Sequence, residues 1–482
     1  MYAATTGGSM ATDIMSYEVT KGIVESGTVA MSYNVFKMEA QRGVDGRYYA
    51  PYGIGHALYS IPFYLLGRAA ERWSGLAVAK PEALRKAGFV MWSAVASAVT
   101  VWIAFLFTWR LSSSANAAVK TALTLGFGTL LWPYAKFGFN APLGTLCTLL
   151  GTYGTWVGMR SNRPAMLVLG GAGLGGALLV RHELILLCLP VGLWILAESE
   201  WDWRRTMRPG LAAALPVVAA VMVTAWYNYT RFGHPLDTGY LRDQTVQSGT
   251  LWVGLAGLLF SPGGSLFLYS PVLLAGCVAL VSFARRDRRT AALFCGECLV
   301  LLFFYASFAH WDADRSYGPR YLLPVIPFLV LPLAGWFAIG SNGLTRRVLT
   351  AFVILSVSVQ LPGVLVDFSK VGFTPAVGHP TWQQRTWTWG ASELRLNSEA
   401  SLTAIPNNLR YLAKSERPPL KPPQGEARDF SQQLAFSLDF WWVYLFYLGA
   451  VSARVAVVLG AACLAAAVFC AFRLRVACRH LR

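Results

Sequence analysis

Three acidic residues near the start of the chain could accept a proton from a reacting hydroxyl group. Asp13 opens the segment DIMSYEVTKGIVESG, and Glu18 lies within it. Asp45 begins the segment DGRYYAPYG, whose first two residues, Asp45 and Gly46, predict a turn. A carboxylate within hydrogen-bond reach of a hydroxyl serves as a general base. These three are therefore the candidate catalytic residues, with Asp13 the first choice. A helix N-cap is the structural alternative for Asp13, since aspartate is a preferred capping residue.

Basic side chains recur at the ends of apolar stretches, where they could bind a phosphate group. Arginine offers a planar pair of N–H donors that matches phosphate oxygens. Arg181, His182 and Glu183 form a polar triplet that interrupts the long apolar stretch 165–197, although a hairpin tip wetted by lipid headgroups would need the same polarity. The candidate phosphate ligands are Lys136, Arg181, His182, Arg231, Arg315 and Arg320.

The short segment AHWDADRSYGPRYLLP concentrates charge between two apolar stretches. His310, Asp312 and Asp314 combine an imidazole with carboxylates, which are ligands that divalent cations use in proteins. A divalent cation is therefore the one cofactor that the sequence suggests, with these three residues as its candidate ligands. Tyr317 and Tyr321 in the same segment could equally be anchors in an aromatic belt at the membrane surface.

Composition places all of these residues in an integral membrane protein. Of the 482 residues, 55% are hydrophobic and only 13% are charged, with a mean hydropathy of +0.45. Soluble domains carry about 25% charged residues. The net charge of +17 does not indicate nucleic-acid binding, because the basic residues fall mainly in short loops between apolar stretches, as the positive-inside rule requires.

The hydropathy pattern predicts an all-α polytopic protein with about eleven transmembrane helices of roughly 20 residues each. The predicted spans are 84–108, 119–137, 140–158, 165–180, 184–197, 210–227, 265–284, 290–309, 321–339, 348–366 and 445–472. Basic clusters mark one side of the membrane as cytoplasmic; they lie at 110–120, 160–163, 204–208, 285–289, 346–347 and 473–482.

This topology divides the chain into four parts. Residues 1–82 form a large first extracytoplasmic loop with amphipathic helices, and residues 83–366 form the transmembrane core. Residues 367–444 form a second extracytoplasmic segment, for which we expect disorder around 418–423, where prolines are dense. Residues 445–482 form the last transmembrane helix and a basic cytoplasmic tail.

The start of the chain is unusual for this topology, because it lies on the extracytoplasmic side without a preceding span. The first residues, MYAATTGGSMATD, contain neither a basic region nor an apolar core of a signal peptide. Either the first loop is translocated together with the span at 84–108, or a first span lies upstream of Met1. We favour the second interpretation.

Four stretches resemble the polytopic GT-C glycosyltransferases, the group that includes protein O-mannosyltransferases and aminoarabinose transferases (glycosyltransferase family 39-like). The closest resemblance is to uncharacterised bacterial members. The stretches are TDIMSYEVTKGIVESG with DGRYYAPYGIGHALYSIPFYLLG, RHELILLCLP, NYTRFGHPL with GLLFSPGGSLFLYSP, and WDADRSYGPRYLLPVIPFL. Each is weakly specific alone, but together they cover residues 13 to about 335 in order.

The resemblance implies a sugar donor linked to a polyprenyl phosphate and an inverting-type transfer to a glycan, lipid or protein acceptor. It implies a bacterial inner membrane, with transfer on the extracytoplasmic face, contact with membrane lipids and a cytoplasmic C-terminus. Asp13 matches the family's first-loop acid, which acts as the base or orients the acceptor. Members often carry a second acid before a proline of the next outer loop, but here Ala141 precedes Pro142. That departure argues against a two-acid or metal-bridged site.

Two other functions fit parts of the pattern. A transporter or flippase of lipid-linked sugars would also need outer cations, but it should carry ionisable groups deep within spans and an internal repeat. Glu297 is the clear mid-span acid, and the two halves of the chain show no convincing repeat. A catalytically inactive scaffold with the GT-C framework is the second alternative, since the acid before Pro142 is absent.

Overall fold

A computed structural model describes residues 1–7, 14–31, 40–73, 82–240, 249–313, 316–338, 343–371, 381–417 and 437–480. The described chain is almost entirely helical, with one two-stranded hairpin. Three predicted site residues, Asp13, Asp314 and Arg315, lie outside the described residues, as does the segment 418–423 for which we expected disorder.

The helices follow one another through short connections, and we number them in chain order. They are α1 Tyr2–Thr5, α2 Ile14–Ser26, α3 Ile54–Trp73, α4 Ala83–Ser112, α5 Ala115–Phe127, α6 Leu131–Tyr134, α7 Ala141–Arg160, α8 Pro164–Val180, α9 Cys188–Glu198, α10 Trp203–Phe232, α11 Leu251–Phe260, α12 Leu266–Tyr269, α13 Val272–Ala284, α14 Arg288–Ala306, α15 Ile326–Val330, α16 Ala334–Ala338, α17 Gly343–Leu365, α18 Phe368–Val371, α19 Trp382–Trp387, α20 Glu393–Lys414, α21 Trp441–Tyr447 and α22 Ala453–His480. The 3-10 helices are His182–Leu187, Arg320–Val325, Leu331–Leu333 and Trp389–Ala391. The hairpin pairs β1 Gln41–Arg42 with β2 Tyr48–Tyr49.

The protein is a multi-pass membrane protein. Six helical segments in the described ranges are long and apolar enough to cross a bilayer: Leu84–Ser112, Trp203–Phe232, Arg288–Ala306, Arg320–Ala338, Gly343–Leu365 and Ala453–Arg473. Three shorter apolar helices, α8, α11 and α13, accompany them. The predicted class, an all-α polytopic protein, is therefore confirmed, while the predicted number of about eleven spans stays a prediction.

Glycine and threonine explain how α7 and α8 pack so closely. A Cβ atom added at Gly154 of α7 would stand 2.7 Å from the backbone nitrogen of Gly170 in α8. In the other direction, a Cβ atom at Gly170 would stand 2.5 Å from the backbone nitrogen of Thr155. Small residues allow such backbone contact between membrane helices. The close packing fixes the end of α8, from which Arg181 continues.

Prolines break the span Arg320–Ala338 into alternating 3-10 and α-helical turns. Pro324, Pro327 and Pro332 each lack the backbone N–H that a continuous α-helix needs. Irregular backbone at membrane depth is tolerated where protein surrounds it, and this span is the most deeply buried of the six. Arg320 is its first residue and therefore stands at the point where the chain enters the core.

The first loop folds onto the membrane-spanning helices through α2 and α3. Met15 and Val19 of α2 pack with Ala57 of α3, and the ring of Tyr17 contacts Tyr64 and Phe89. The predicted turn at residues 45–46 is present as the tip of the hairpin, where glycine adopts a φ of +78°. The loop thus presents residues 40–53 toward the C-terminal end of α10.

Candidate functional site

Arg181 stands where the apolar helix α8 ends and the 3-10 helix His182–Leu187 begins. Its backbone is extended, with φ at −144°, and its N–H donates to the carbonyl of Ala177. This change of direction turns the side chain into the protein, where only 6% of it is exposed. The polar triplet that interrupts the apolar stretch therefore forms an inward-facing corner.

A closed triangle of hydrogen bonds holds one edge of the Arg181 guanidinium. Nε donates to Glu183 Oε1 at 2.9 Å, and Nη2 donates to the Tyr305 hydroxyl at 2.6 Å. That hydroxyl donates in turn to Glu183 Oε1 at 2.5 Å. Burial alone would lower the pKa of Arg181, but Tyr305 and Glu183 outweigh it, so the pKa lies above its usual value. The pair is ionised.

The other edge of the same guanidinium is open. Nη1 of Arg181 is buried and has no hydrogen-bond partner among the residues that the structure describes. Buried N–H groups are almost always paired in native proteins, and a cationic donor has a particularly high cost when unpaired. The open donor therefore indicates a position that a bound anion would complete.

Tyr321 joins Arg181 to Arg320. The guanidinium carbon of Arg181 lies 5.2 Å from the Tyr321 ring centroid, and that of Arg320 lies 5.5 Å from the same centroid. Arg320 also stacks on Phe139 at 4.8 Å, and Tyr305 stacks on Tyr321 at 4.8 Å. The structure thus brings two of the predicted phosphate ligands to one aromatic ring.

Arg320 carries a charge that no described carboxylate neutralises. It is half-buried, and its described contacts are aromatic rings rather than an ion pair. An arginine held in place by rings keeps its planar donors available for a phosphate. With Arg181 balanced by Glu183, the described part of the cluster keeps one positive charge.

Aromatic residues from two loops lie over this cluster. Tyr52 of the first loop contacts Tyr240, with ring centroids 5.9 Å apart, and Tyr240 contacts the imidazole of His182 at 6.3 Å. Burial lowers the pKa of His182 to about 4. Both of its ring nitrogens lack a partner within the described ranges. At neutral pH His182 therefore offers an uncharged imidazole that can donate one hydrogen bond.

Lys136 is not part of this cluster. It is fully buried, and its ammonium forms an ion pair with Asp439 at 2.9 Å. It also donates to the carbonyls of Val364 at 2.6 Å and Val366 at 3.1 Å. Two of the three N–H donors of the ammonium thus go to carbonyls, and the buried carboxylate of Asp439 balances its charge. Lys136 connects distant segments, and with its charge already balanced it is poorly suited to bind a phosphate.

Arg231 is likewise occupied by the protein itself. Its guanidinium stacks on Tyr227 at 3.7 Å and donates to the Tyr227 carbonyl, to Asn228 Oδ1 at 2.8 Å and to the Ala50 carbonyl. The backbone carbonyl of Arg231 accepts from the Val44 N–H at 3.0 Å. Arg231 therefore fixes the first loop to the end of α10.

The three predicted acids stand in different situations. Asp45 is exposed at the hairpin tip, where it accepts from the Arg47 N–H at 3.0 Å and the Tyr49 hydroxyl at 2.8 Å. The bond from the Arg47 N–H lowers the pKa of Asp45, which makes it a weaker base. Glu18 is buried on α2. Asp13 lies just before Ile14, outside the described residues.

The predicted cation ligands are only partly described. Asp312 is buried and accepts a hydrogen bond from Trp382 Nε1 at 2.9 Å, whereas His310 is exposed. Across the described ranges, no group of three histidine, cysteine or acidic residues is placed to hold a metal ion. The described residues therefore do not by themselves form the divalent-cation site that the sequence suggested.

Two solved structures share the architecture of this chain. Both are of ArnT, a GT-C aminoarabinose transferase, from Cupriavidus metallidurans. The structure bound to undecaprenyl phosphate superposes with a TM-score of 0.53 at 14% identity, over 95% of this chain and 75% of ArnT. The apo structure gives 0.51 at 15% identity, over 95% and 73%.

The chain has the GT-C fold. No family model and no curated protein matches its sequence, so the likeness is one of architecture. The predicted resemblance is confirmed at that level. Because a fold alone does not fix an activity, the chemistry of a GT-C chain must be argued from its site.

Sequence reasoning did not select three residues of the site in this GT-C fold. Glu183 was seen only as part of a polar triplet, and Tyr321 only as a belt aromatic. Tyr305 lies within the apolar helix α14, and nothing in its local sequence distinguishes it.

Proposed function

We propose that this protein is a membrane glycosyltransferase that moves a sugar from a polyprenyl-phosphate donor to an acceptor hydroxyl. The observation that carries the proposal is the pair Arg181 and Arg320, which flank one tyrosine ring at the buried end of several loops. One guanidinium has an open buried donor, and the other has no described counter-ion. The pair is suited to hold a phosphate group.

The role of the two arginines follows from where charge develops. As the bond between the anomeric carbon and the phosphate oxygen breaks, that oxygen gains negative charge. Preorganised cationic donors stabilise such charge most effectively where water is excluded. Glu183 and Tyr305 hold Arg181 in a fixed orientation, and Phe139 and Tyr321 hold Arg320. Little reorganisation is then needed at the moment of transfer.

The acceptor side of the reaction needs a base. The acceptor oxygen attacks the anomeric carbon from the face opposite the phosphate, and its proton passes to a carboxylate, so configuration is inverted. Asp13 is our first choice for that carboxylate and Glu18 is the runner-up. Asp45 is disfavoured, because its exposed position and lowered pKa suit a turn better than proton transfer. A metal ion is not needed for this division of roles.

The setting of the reaction is proposed from the charge pattern and the shared fold. The ArnT structure was determined with bound undecaprenyl phosphate, a lipid that joins a phosphate to a long apolar chain. We place the donor in a bacterial inner membrane with its phosphate at the extracytoplasmic surface, and the acceptor is a glycan, a lipid or a protein. The C-terminus is then cytoplasmic.

The mid-span acid on which a transporter would depend has a packing role. Glu297 of α14 is fully buried, and its Oε1 accepts a hydrogen bond from Thr152 of α7 at 2.5 Å. This bond joins two neighbouring helices within the core. Oε2 of Glu297 has no hydrogen-bond partner among the described residues, but one such acid without an internal repeat is not the pattern of a transporter.

The test is sugar transfer by the purified protein in nanodiscs, with a panel of polyprenyl-phosphate sugars, with and without divalent metal. We expect turnover in the wild type and its loss in Arg320→Gln by about two to three orders of magnitude, the usual effect of removing a transition-state donor. Arg47→Gln is the matched control, because Arg47 is an exposed arginine of the first loop and should leave turnover unchanged. Asp13→Asn tests the base.

Two results would overturn the proposal. Turnover that survives in Arg320→Gln and in Arg181→Gln would remove the arginine pair from the mechanism. Binding of undecaprenyl phosphate without turnover of any donor would favour a carrier or a scaffold.

A further inference from the structure

The outer segment 381–417 contains a long helix whose three faces differ in chemistry. Helix α20 runs from Glu393 to Lys414, 22 residues, or about 33 Å. One face packs on the protein through Leu396, Ala400 and Ala404. No candidate span lies among the described residues between the end of α17 and the start of α22. The helix therefore lies outside the bilayer core.

A second face of α20 is apolar and exposed. Leu402 is 74% exposed, Ile405 40% and Leu409 66%. At 100° per residue these three side chains fall within a sector of about 60°. Large apolar side chains aligned on one face of a helix are costly to leave in water, at about 25 cal/mol per Å². We call this face the α20 stripe.

A third face carries charge and polar groups. Three exposed residues form this face: Thr403, Arg410 and Lys414. Around the helix axis they lie about 80–120° from Leu402, in the direction opposite to Ile405. Arg395, near the start of the helix, pairs with Glu399 at 2.8 Å. The exposed part of the helix thus combines the apolar α20 stripe with a cationic region at the C-terminal end.

The ends of α20 are fixed to two places where the chain crosses the membrane surface. Near its start, Leu396 and Ala400 pack with Val366, the residue after α17 ends. Near its end, Asn408 accepts a hydrogen bond from the Tyr447 hydroxyl, and Tyr411 packs on the cluster that includes Ala453, where α22 begins. A helix attached to two span ends lies along the membrane plane.

We propose that α20 is an interfacial helix that inserts the α20 stripe into the headgroup and upper acyl region of an anionic bilayer. Helix α17, at whose end α20 packs through Val366, has an exposed apolar surface of its own, with Ile354, Leu355 and Leu361 62%, 52% and 40% exposed. Arg410 and Lys414 then stand at the level of lipid phosphates, where anionic headgroups attract basic side chains. An apolar face beside a basic one is the pattern of interfacial helices.

Exposed tryptophans in the same segment agree with this placement. Trp387 and Trp389 are 41% and 51% exposed and precede α20 directly. Tryptophan prefers the boundary between lipid and water, because its ring is apolar and its N–H is polar. The proposal concerns the attachment of the outer segment to lipid, and it stands whether or not the protein transfers sugar.

The test is photolabelling of the full-length protein in nanodiscs of phosphatidylcholine and phosphatidylglycerol, with a diazirine on the acyl chain of one or the other lipid. Trypsin releases Leu396–Arg410, which contains the whole stripe, as one peptide. We expect this peptide to carry the label, more from phosphatidylglycerol than from phosphatidylcholine. Peptides of α22, which is exposed along its length, are the positive control in the same sample.

Variants separate the stripe from general proximity to lipid. Leu402→Glu with Leu409→Glu should remove most of the label from the peptide, whereas Thr403→Glu on the charged face should retain it. Arg410→Gln with Lys414→Gln should abolish the preference for phosphatidylglycerol. For that variant, cleavage after glutamate gives the peptide 400–416. All of these side chains are exposed, so folding does not depend on them.

Other occupants of the stripe give different outcomes. An unlabelled wild-type peptide beside labelled α22 peptides would overturn the proposal. Cross-linking of Leu402→p-benzoylphenylalanine to a second copy of the chain would assign the stripe to self-association instead. Equal labelling of the wild type and of the Leu402→Glu, Leu409→Glu variant would show that the stripe does not contact lipid.

Discussion

Two cationic clusters lie near the ends of membrane helices, and they differ in how completely the protein satisfies them. Lys136 has a buried counter-charge in the carboxylate of Asp439 and donates hydrogen bonds to two carbonyls. Arg181 keeps one buried donor without a described partner, and Arg320 has aromatic rings where Lys136 has an ion pair. The first cluster is closed and the second is open.

This difference in how well each cation is satisfied distinguishes a charge that stabilises the fold from a charge that is available to bind a ligand. A buried cation whose charge is balanced contributes cohesion between segments and has little left for a ligand. An incompletely satisfied cluster stays costly until something binds, and that cost favours an anion. The completeness of hydrogen bonding therefore distinguishes cations that the sequence presents as equivalent.

Breaking the closed cluster should have the largest effect, and it should be on stability. Lys136→Met leaves Asp439 buried without its partner, which costs about 3–5 kcal/mol. We expect a loss of that order in the free energy of unfolding, measured by SDS-induced unfolding of the purified protein. Because Asp439→Leu added to Lys136→Met removes both charges, the double variant should recover most of the loss. If Lys136→Met is as stable as the wild type, the assignment of Lys136 to a closed structural cluster is wrong.

Changing the open cluster should affect ligand affinity more than stability. Arg181→Gln removes a charge-assisted donor, worth about 1.5–3 kcal/mol, and should weaken binding of undecaprenyl phosphate roughly 10- to 100-fold. Glu183→Gln removes the counter-charge and should strengthen binding. Isothermal titration in nanodiscs measures both, with Arg47→Gln as the control. Opposite signs are the diagnostic result, and weakening in both variants would contradict the assigned roles.

A smaller effect should follow from loosening the hold on Arg181. Tyr305→Phe removes the hydroxyl that joins Arg181 to Glu183 but keeps the ring that stacks on Tyr321. A hydrogen bond to a charged group contributes about 1.5–3 kcal/mol. Because this hydroxyl orients Arg181 and does not itself bind the phosphate, only part of that should be lost, and transfer should fall several-fold while KM for the acceptor stays unchanged. A steady-state comparison with Tyr321→Phe, which keeps the same ring stack but removes the hydroxyl that is hydrogen-bonded to Arg320, shows which of the two hydroxyls matters for transfer.

The smallest expected effect is a pH dependence of stability at the rim of the open cluster. Burial lowers the pKa of His182 to about 4, below the usual value of about 6.5. Between those values the unfolded chain binds a proton that the folded chain does not. The stabilising contribution is therefore complete above pH 6.5 and is lost as the pH falls toward 4.

Thermal unfolding between pH 7 and pH 5 tests this sign. The midpoint should fall with pH in the wild type and fall less in His182→Gln. His56 is also buried with a pKa lowered to about 3, so part of the slope should remain in the variant. An unchanged slope in His182→Gln would show that His182 is not kept neutral by burial.

The architecture could be predicted from sequence because membrane solvation acts on long stretches. Apolar runs must become helices in lipid, which is why the all-α polytopic class could be predicted; the orientation inferred from the basic residues stays a prediction. Local features near turns were also predictable, such as the hairpin tip at residues 45–46. We predicted a regular span for Arg320–Ala338, although the prolines in this stretch disfavour a continuous α-helix.

The site was only partly predictable, because its members differ by long-range contacts. Arg181 and Arg320 were selected as candidate ligands together with Lys136 and Arg231, and all four stand near the ends of spans. Lys136 forms an ion pair with Asp439 in the C-terminal segment, and Arg231 donates hydrogen bonds to the backbone of the first loop. No local pattern encodes those partners. Tyr305 was missed for the same reason.

The closed cluster also has a consequence for how the protein is made. It joins the beginning of the chain to its last quarter: the Gly7 N–H donates to the Lys136 carbonyl, and the Trp441 N–H donates to the Thr6 carbonyl. Ribosomes add about 5–20 residues per second, so Asp439 follows Lys136 by tens of seconds. For that whole interval the newly inserted Lys136 has no carboxylate. Attachment of the N-terminal segment is therefore among the last steps of biogenesis, and the insertion machinery must hold an unpaired lysine until then.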